Sequence, residues 1–284
     1  MSAKQWDRVV TGLLWGAGLL IIGVLAVFLG YILIKGLPVL SASFIFGPSS
    51  DVSVGGGVGA QLFNTFYILF ISLLVAAPVA VGAGIYLAEY SARGRLADVI
   101  RLSVECLASV PSIVLGLFGM ILFINLMGFG ISLGVGAMTL ALMNLPIIVR
   151  VTEEALKTVP REYREASLAL GATKWQTIAR VVLPAALPGI VTGVTLTAGR
   201  AVGETAILIF TAGTTASRMI PDFSLSAGGE TLAVHMWYVM AIGLVPDRVD
   251  IANGTGALLI LVILTFNLIL ASGTKHLRKW LTGM

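Results

Sequence analysis

The sequence predicts an all-α integral membrane protein with six transmembrane helices, and three observations carry that prediction. Of 284 residues, 57% are hydrophobic and only 11% charged, where a soluble domain carries roughly a quarter charged, and the mean hydropathy is +0.99. The apolar residues fall in blocks of about 20, the length needed to cross a hydrocarbon core of about 30 Å. Lys and Arg flank these blocks and form no single stripe, so the net charge of +4 reflects membrane topology and not a nucleic-acid partner. No stretch is long enough for a separate soluble core, and residues 1–284 read as a single transmembrane domain.

The spans are expected at about 11–34, 61–88, 102–126, 131–149, 186–212 and 254–274. The first exceeds a signal-peptide core in length and lacks a small-residue cleavage site before Lys35, so it is a retained span. Pro78, Pro111 and Pro146 fall inside the second, third and fourth spans, where each removes a backbone donor and favours a kink. Gly12 with Gly16, Gly189 with Gly193, and Gly199 with Gly203 recur at four-residue spacing, which permits close helix approach. The N-terminal tail, the loop after span two, the loop after span four and the C-terminus hold 2, 3, 6 and 3 of the 18 Lys and Arg residues. The positive-inside rule therefore places both termini in the cytoplasm. Of the two outer connections, 35–60 and 213–253, the second contains Thr231 to Leu244, too short to span and read either as a re-entrant or surface helix or as a seventh, partial span with no special role.

Chemistry is sparse. Cys106 is the only cysteine, and His235 and His276 are the only histidines, so no His/Cys cluster stands at metal-ligand spacing. There is no G-x-x-x-x-G-K-[ST] loop, hence no ATP site on this chain, and no motif for a nucleophile and base pair. No catalysis is assigned.

The polar block at 150–184 is the informative exception. Leu156, Val159, Tyr163, Ala166 and Leu170 recur at three- and four-residue steps, with Glu154, Lys157, Arg161, Glu162 and Glu165 on other faces. Gly171 ends this helix; Thr173 and Gln176 have capping-box spacing, with Trp175, Ile178 and Val182 as the apolar side of the next. An exposed hairpin of this kind packs on its own bundle or on another protein, and periodicity does not choose. Glu165-Ala166-Ser167, Gly171, Val181 and Leu183-Pro184 resemble the EAA loop of ABC-importer permeases, in which Glu-Ala-Ala, Gly, Ile and Leu-Pro stand at the same spacing. The resemblance implies a type I ABC-importer permease fold. It also implies a coupling helix within 155–171 that docks on a separate ATPase, with Glu165, Ala166 and Gly171 carried over and Arg164 and Tyr163 beside them.

Gly55-Gly56-Gly57, Asn64-Thr65, GIYLAEY at 84–90, PSIVLGLFG at 111–119, LPIIVRVTEEALKTVP at 145–160 and GRAVGETAILIFTAG at 199–213 further resemble the PstA-type permeases of phosphate importers. That resemblance covers roughly 55–275. It implies a prokaryotic inner membrane, a heterodimer with a PstC-type permease, a PstB-type ATPase dimer holding ATP and magnesium, and a PstS-type phosphate-binding protein outside.

Arg200 and Glu204 stand out without any family knowledge. A charge near the middle of a membrane helix costs at least about 2.5 kcal/mol, so it faces a partner or an aqueous path. Four residues apart, the two share a helix face. Arg200 is expected about 21 Å along span five, past the midplane toward the outside. A guanidinium matches two phosphate oxygens, and Glu204 would temper the site; the alternative is a permanent Arg200–Glu204 ion pair, or a pair across the interface to another subunit, that only sets helix register. Asn144, Thr192, Thr195 and Thr205 are further candidates to line the path, or to bond neighbouring helices. Glu89 is expected to pair with Arg93 or Arg95, or to meet the ATPase. A permease for sulfate or molybdate is the nearest alternative. A secondary transporter is the more distant one, and would carry an inverted repeat or carboxylates along its path.

Overall fold

The computed structural model describes residues 3–50, 54–90, 94–215 and 221–282. Among them the regular structure is helical throughout: α1 (Ala3–Gly36), α2 (Ala42–Phe46), α3 (Gly59–Ile85), α4 (Arg95–Ser109), α5 (Ser112–Gly119), α6 (Leu133–Lys157), α7 (Arg161–Ala169), α8 (Lys174–Thr177), α9 (Leu183–Val202), α10 (Ala206–Thr211), α11 (Leu232–Ala241) and α12 (Arg248–Thr282). Five helical runs are long and apolar enough to cross a membrane, and the bent pair α4 and α5 brings the number to six.

The bundle is organised around α6, which packs against α3, α4, α5, α9 and α10. Close approach to α9 depends on Gly193, where a β-carbon would run into the Val151 side chain, and on Gly189, set against Ala155. Gly199 is likewise pressed on Asn267 of α12, whereas Gly12 and Gly16 face open space. The apolar window of α1 is 0% buried, and the helix joins the bundle only at its C-terminal end, where Gly36 lies on Asn253 and Ala257.

The three prolines behave differently. Pro78 and Pro146 sit inside unbroken helices. Pro111 ends one: Val110 is extended (ψ 128°), and α4 meets the segment Ser112–Leu126 at 103°. A residue before proline is driven out of the helical region and the proline has no N–H to offer. The expected third span, 102–126, is therefore two elements: an amphipathic α4 that starts at Arg95, and an apolar segment that closes with the π-helical turns Met120–Leu126.

The polar block also differs from a self-contained hairpin. α6 continues as one helix to Lys157, so Leu156 and Val159 are buried in the bundle at 0% and 6% exposure, while Tyr163 and Leu170 are exposed at 53% and 90%. Pro160 breaks the stripe, and α7 begins directly after it. The second helix has the expected Thr173–Gln176 capping box but runs on through Ile178–Val182 into α9, as one helical run from Lys174 to Val202. The expected fifth span, 186–212, is interrupted at Gly203–Thr205 and resumes as the short α10.

Candidate functional site

The interruption after α9 holds three of the expected pathway residues. Arg200 is in the last turn of α9, where a cation complements the helix C-terminus. Gly203 closes the helix and the Glu204 N–H donates to the Ala201 carbonyl at 3.2 Å. Thr205 spends its hydroxyl on the Gly203 carbonyl at 3.3 Å. Arg200 and Glu204 thus do not share the face of one continuous helix. Nor do they pair: among the described residues neither takes part in a hydrogen bond through its side chain or in an ion pair. Arg200 is exposed on this chain and Glu204 half-buried. The internal ion pair weighed as an alternative is absent here.

Asn144 is elsewhere. It is fully buried within α6, and neither its amide nitrogen nor its oxygen has a hydrogen-bond partner, so it opens onto no pathway surface in this conformation. Thr192 is bonded to the Pro188 carbonyl at 2.7 Å, the back-bonding typical of threonine in a membrane helix. Thr195 is half-buried.

At the other end, α7 buries none of its residues. By helical periodicity Arg164 and Ser167, its half-buried positions, mark the side turned to the bundle; Glu162, Glu165, Ala166 and Ala169 lie opposite, with Tyr163 and Leu168 on the flanks. Gly171 has φ +83°, and it and Ala172 donate to the carbonyls of Leu168 and Ser167. This is a Schellman closure, whose left-handed residue is nearly always glycine because a β-carbon would clash there. Ser167, where the EAA pattern has alanine, places its hydroxyl 2.9 Å from that of Thr177, tying α7 to α8.

Arg164 faces inward. Its Nε and Nη2 donate to the Glu89 carboxylate, the shortest contact being 2.6 Å, and the guanidinium also donates to the carbonyls of Leu156 and Val159 at 2.8 Å. Sequence reasoning pairs Glu89 with Arg93 or Arg95; Arg93 lies outside the described residues, and among the described residues Arg95 forms no ion pair. Nearby, Glu153 accepts from Arg101 at 2.9 Å and Lys157 at 2.6 Å, binding α4 to α6.

Sequence reasoning missed one further polar cluster. Glu230, fully buried before the N-cap of α11, accepts from Gln61 Nε2 at 2.7 Å, and its carboxylate lies 2.8 Å from His235 Nδ1. The Glu230 carbonyl accepts from Asn64 Nδ2, and the Leu232 N–H donates to Thr65 Oγ1. The group fastens α11 to the N-terminal end of α3. Its trace in the sequence is the polar stripe Gln61, Asn64, Thr65 at helical spacing in an otherwise apolar span. Among the described residues no set of three or more His, Cys, Asp or Glu could hold a metal ion.

The architecture and the exposed loop agree with the comparisons. Residues 80–283 match the family described as binding-protein-dependent transport system inner membrane component. The chain belongs to this family. It is 43% identical over 278 residues to the probable ABC transporter permease protein YqgI of Bacillus subtilis, covering 94% of this chain and 95% of that protein. It is 37% identical over 212 residues to the phosphate transport system permease protein PstA of Haemophilus influenzae, covering 75% of this chain and 72% of that protein. Among solved structures, the inward-facing MetNI methionine ABC transporter matches with TM-score 0.61 and 26% identity over 78% of this chain and 94% of the matched chain. An alginate-importing bacterial ABC transporter shares the fold, with TM-score 0.67 at 14% identity over 96% of this chain and 99% of the matched one. The permease is thus a multi-pass membrane component of the type I ABC-importer fold, a non-catalytic kind of subunit. Permeases of this kind work with an ATPase and a substrate-binding protein.

Proposed function

We propose that the permease forms half of the translocation pore of an importer of inorganic phosphate. Its other half is a PstC-type permease; two PstB-type ATPases, which bind ATP and magnesium, drive it from the cytoplasm, and a PstS-type protein delivers phosphate outside. This chain carries no cofactor, and both its termini are cytoplasmic.

The observation that carries the reading is Arg200: a guanidinium at a break in an apolar helix, exposed on the isolated subunit and without an ion pair or side-chain hydrogen bond among the described residues. A cation left without an internal partner in a membrane helix has its counterion elsewhere, and a guanidinium presents parallel donors that fit two oxygens of a tetrahedral anion. Interrupted helices in transporters characteristically meet their substrate at the break. Glu204, half-buried four residues on past the helix end, limits how tightly the anion is held. Relatives named as PstA phosphate permeases, 37% identical, support phosphate over other oxyanions.

Coupling falls to α7. The outward placement of Glu165 and Ala166, with Tyr163, Leu168 and Leu170 exposed at 53%, 49% and 90%, supports docking in a groove of the ATPase. ATP-driven closure of the ATPases moves this helix and opens the pathway outward; hydrolysis resets it.

The test is uptake of labelled phosphate or sulfate into liposomes holding the full complex, with and without internal ATP and external binding protein. ATP-dependent phosphate uptake that excess sulfate leaves intact is expected. Uptake of sulfate alone would overturn the substrate, and uptake indifferent to ATP would overturn the importer reading.

A further inference from the structure

We propose that Arg164 and Glu89 are positioning residues forming a clamp that transmits movement of α7 to α3 and α6. The proposal rests on the reading of α7 as the ATPase-docking helix, and concerns how that helix is joined to the spans.

A helix can push its neighbours only through contacts that hold. α7 buries no residue, so it has no apolar interface with the bundle that would carry force. Its two ends are irregular: Thr158 to Pro160 on one side, the left-handed Gly171 on the other. Its near neighbours are the helical segments that lead into α9. The link to the remaining spans is polar, and it converges on one side chain. Arg164 uses Nε on both Glu89 oxygens at 3.2 and 3.3 Å. Nη2 bonds Glu89 Oε1 at 2.6 Å and the Leu156 carbonyl at 2.8 Å, and Nη1 bonds the Val159 and Pro160 carbonyls at 2.8 and 3.4 Å.

Each partner fits its task. The Leu156 carbonyl belongs to the last turn of α6, and those of Val159 and Pro160 to the link just beyond it, so the cation sits at the helix C-terminus, where it is favoured. Glu89 lies in the π-helical turn Tyr86–Tyr90 that ends α3, a wound-out geometry recurrent at functional sites. The side chains of Arg164 and Glu89 are only 22% and 9% exposed, so solvent screens the pair weakly. A planar fork meeting a carboxylate and three carbonyls together fixes orientation as well as distance, which an ammonium group would not. The Ser167–Thr177 bond performs the corresponding attachment toward α9.

Two measurements test the clamp, both on the assembled complex with labelled phosphate. In the first, Glu89→Gln keeps the ATPase bound, as read by co-purification, but lowers uptake roughly tenfold and raises ATP hydrolysed per phosphate transported by a similar factor; Glu89→Asp, which keeps the charge, restores most of both. Unchanged uptake and stoichiometry in Glu89→Gln, or loss of the ATPase with it, would overturn the clamp. The second leaves the clamp intact: spin labels at Gly82→Cys in α3 and Ala169→Cys in α7, in a Cys106→Ser background, hold one separation with and without ATP. A change approaching one helical turn, about 5 Å, would overturn it. Failure of the underlying reading is distinct, since the unaltered permease would then not retain the ATPase at all.

Discussion

Two arginines at opposite ends of the same helical hairpin have opposite environments. Arg164 has a carboxylate and backbone carbonyls around it; Arg200 has no side-chain partner among the described residues. The first is in the polar loop between α6 and α9, where water could have solvated it, and is nonetheless enclosed. The second is in an apolar helix, where partners matter more, and is left open. A satisfied, half-buried cation organises the protein around itself, while an unsatisfied one is kept for something beyond the described residues of the subunit. The contrast separates a transmission element from a contact element more clearly than charge or position does.

The contrast breaks first at Arg200. Arg200→Gln should lower phosphate uptake by on the order of a hundredfold, the scale for removing one partner of a desolvated charge pair, while the ATPase still co-purifies. Arg200→Lys should recover only part of it, since an ammonium does not reproduce the bidentate fit. Uptake at the original rate in either variant would make Arg200 a register device and erase the distinction.

A smaller effect is expected at the turn that ends α7. Gly171→Ala forces a β-carbon into the left-handed region at a cost of about 1 to 2 kcal/mol. Amide exchange across 168–172 should quicken by about fivefold or more, with the spans unaffected. Exchange unchanged from the parent protein would mean that the turn relaxes freely and does not define the helix end.

The smallest effect belongs to Ser167→Ala, which removes the bond to Thr177 and recreates the Glu-Ala-Ala pattern. The bond is half-exposed, so its loss should cost no more than about 1 kcal/mol, seen as slightly faster exchange in α8 with uptake within twofold of the parent, a change of about 0.4 kcal/mol. A large fall in uptake would show that attachment toward α9 carries more of the coupling than the Arg164 clamp.

Legibility followed locality. The capping box at Thr173 and Gln176 and the stop at Gly171 depend on residues within one turn of each other, and both stand as the sequence predicts. So does the short helix in the second outer connection, capped by Thr231. The third and fifth spans were less legible, because hydropathy reports composition and not direction: the bend at Pro111 and the interruption at Gly203 leave the apolar runs unchanged. Least legible were the pairings. Glu89 and Arg164 are 75 residues apart, and Gln61 and Glu230 are 169 apart; nothing local to either residue announces the other.

Length, hydropathy and the spacing of a few polar residues determined by themselves that this is a helical membrane protein with one exposed polar block, because crossing lipid requires every backbone bond to be made within the segment. They also singled out Arg200, since a charge in such a segment is costly wherever it points. Only the tertiary structure decided which charges are spent within the subunit. Arg164 is closed on Glu89 and the end of α6, Asn144 is sealed inside, and Glu204 is set apart from Arg200 by the end of a helix. The reason is physical: a side chain's partner is fixed by how helices far apart in sequence come to lie together, and a run of apolar residues fits many such arrangements equally well.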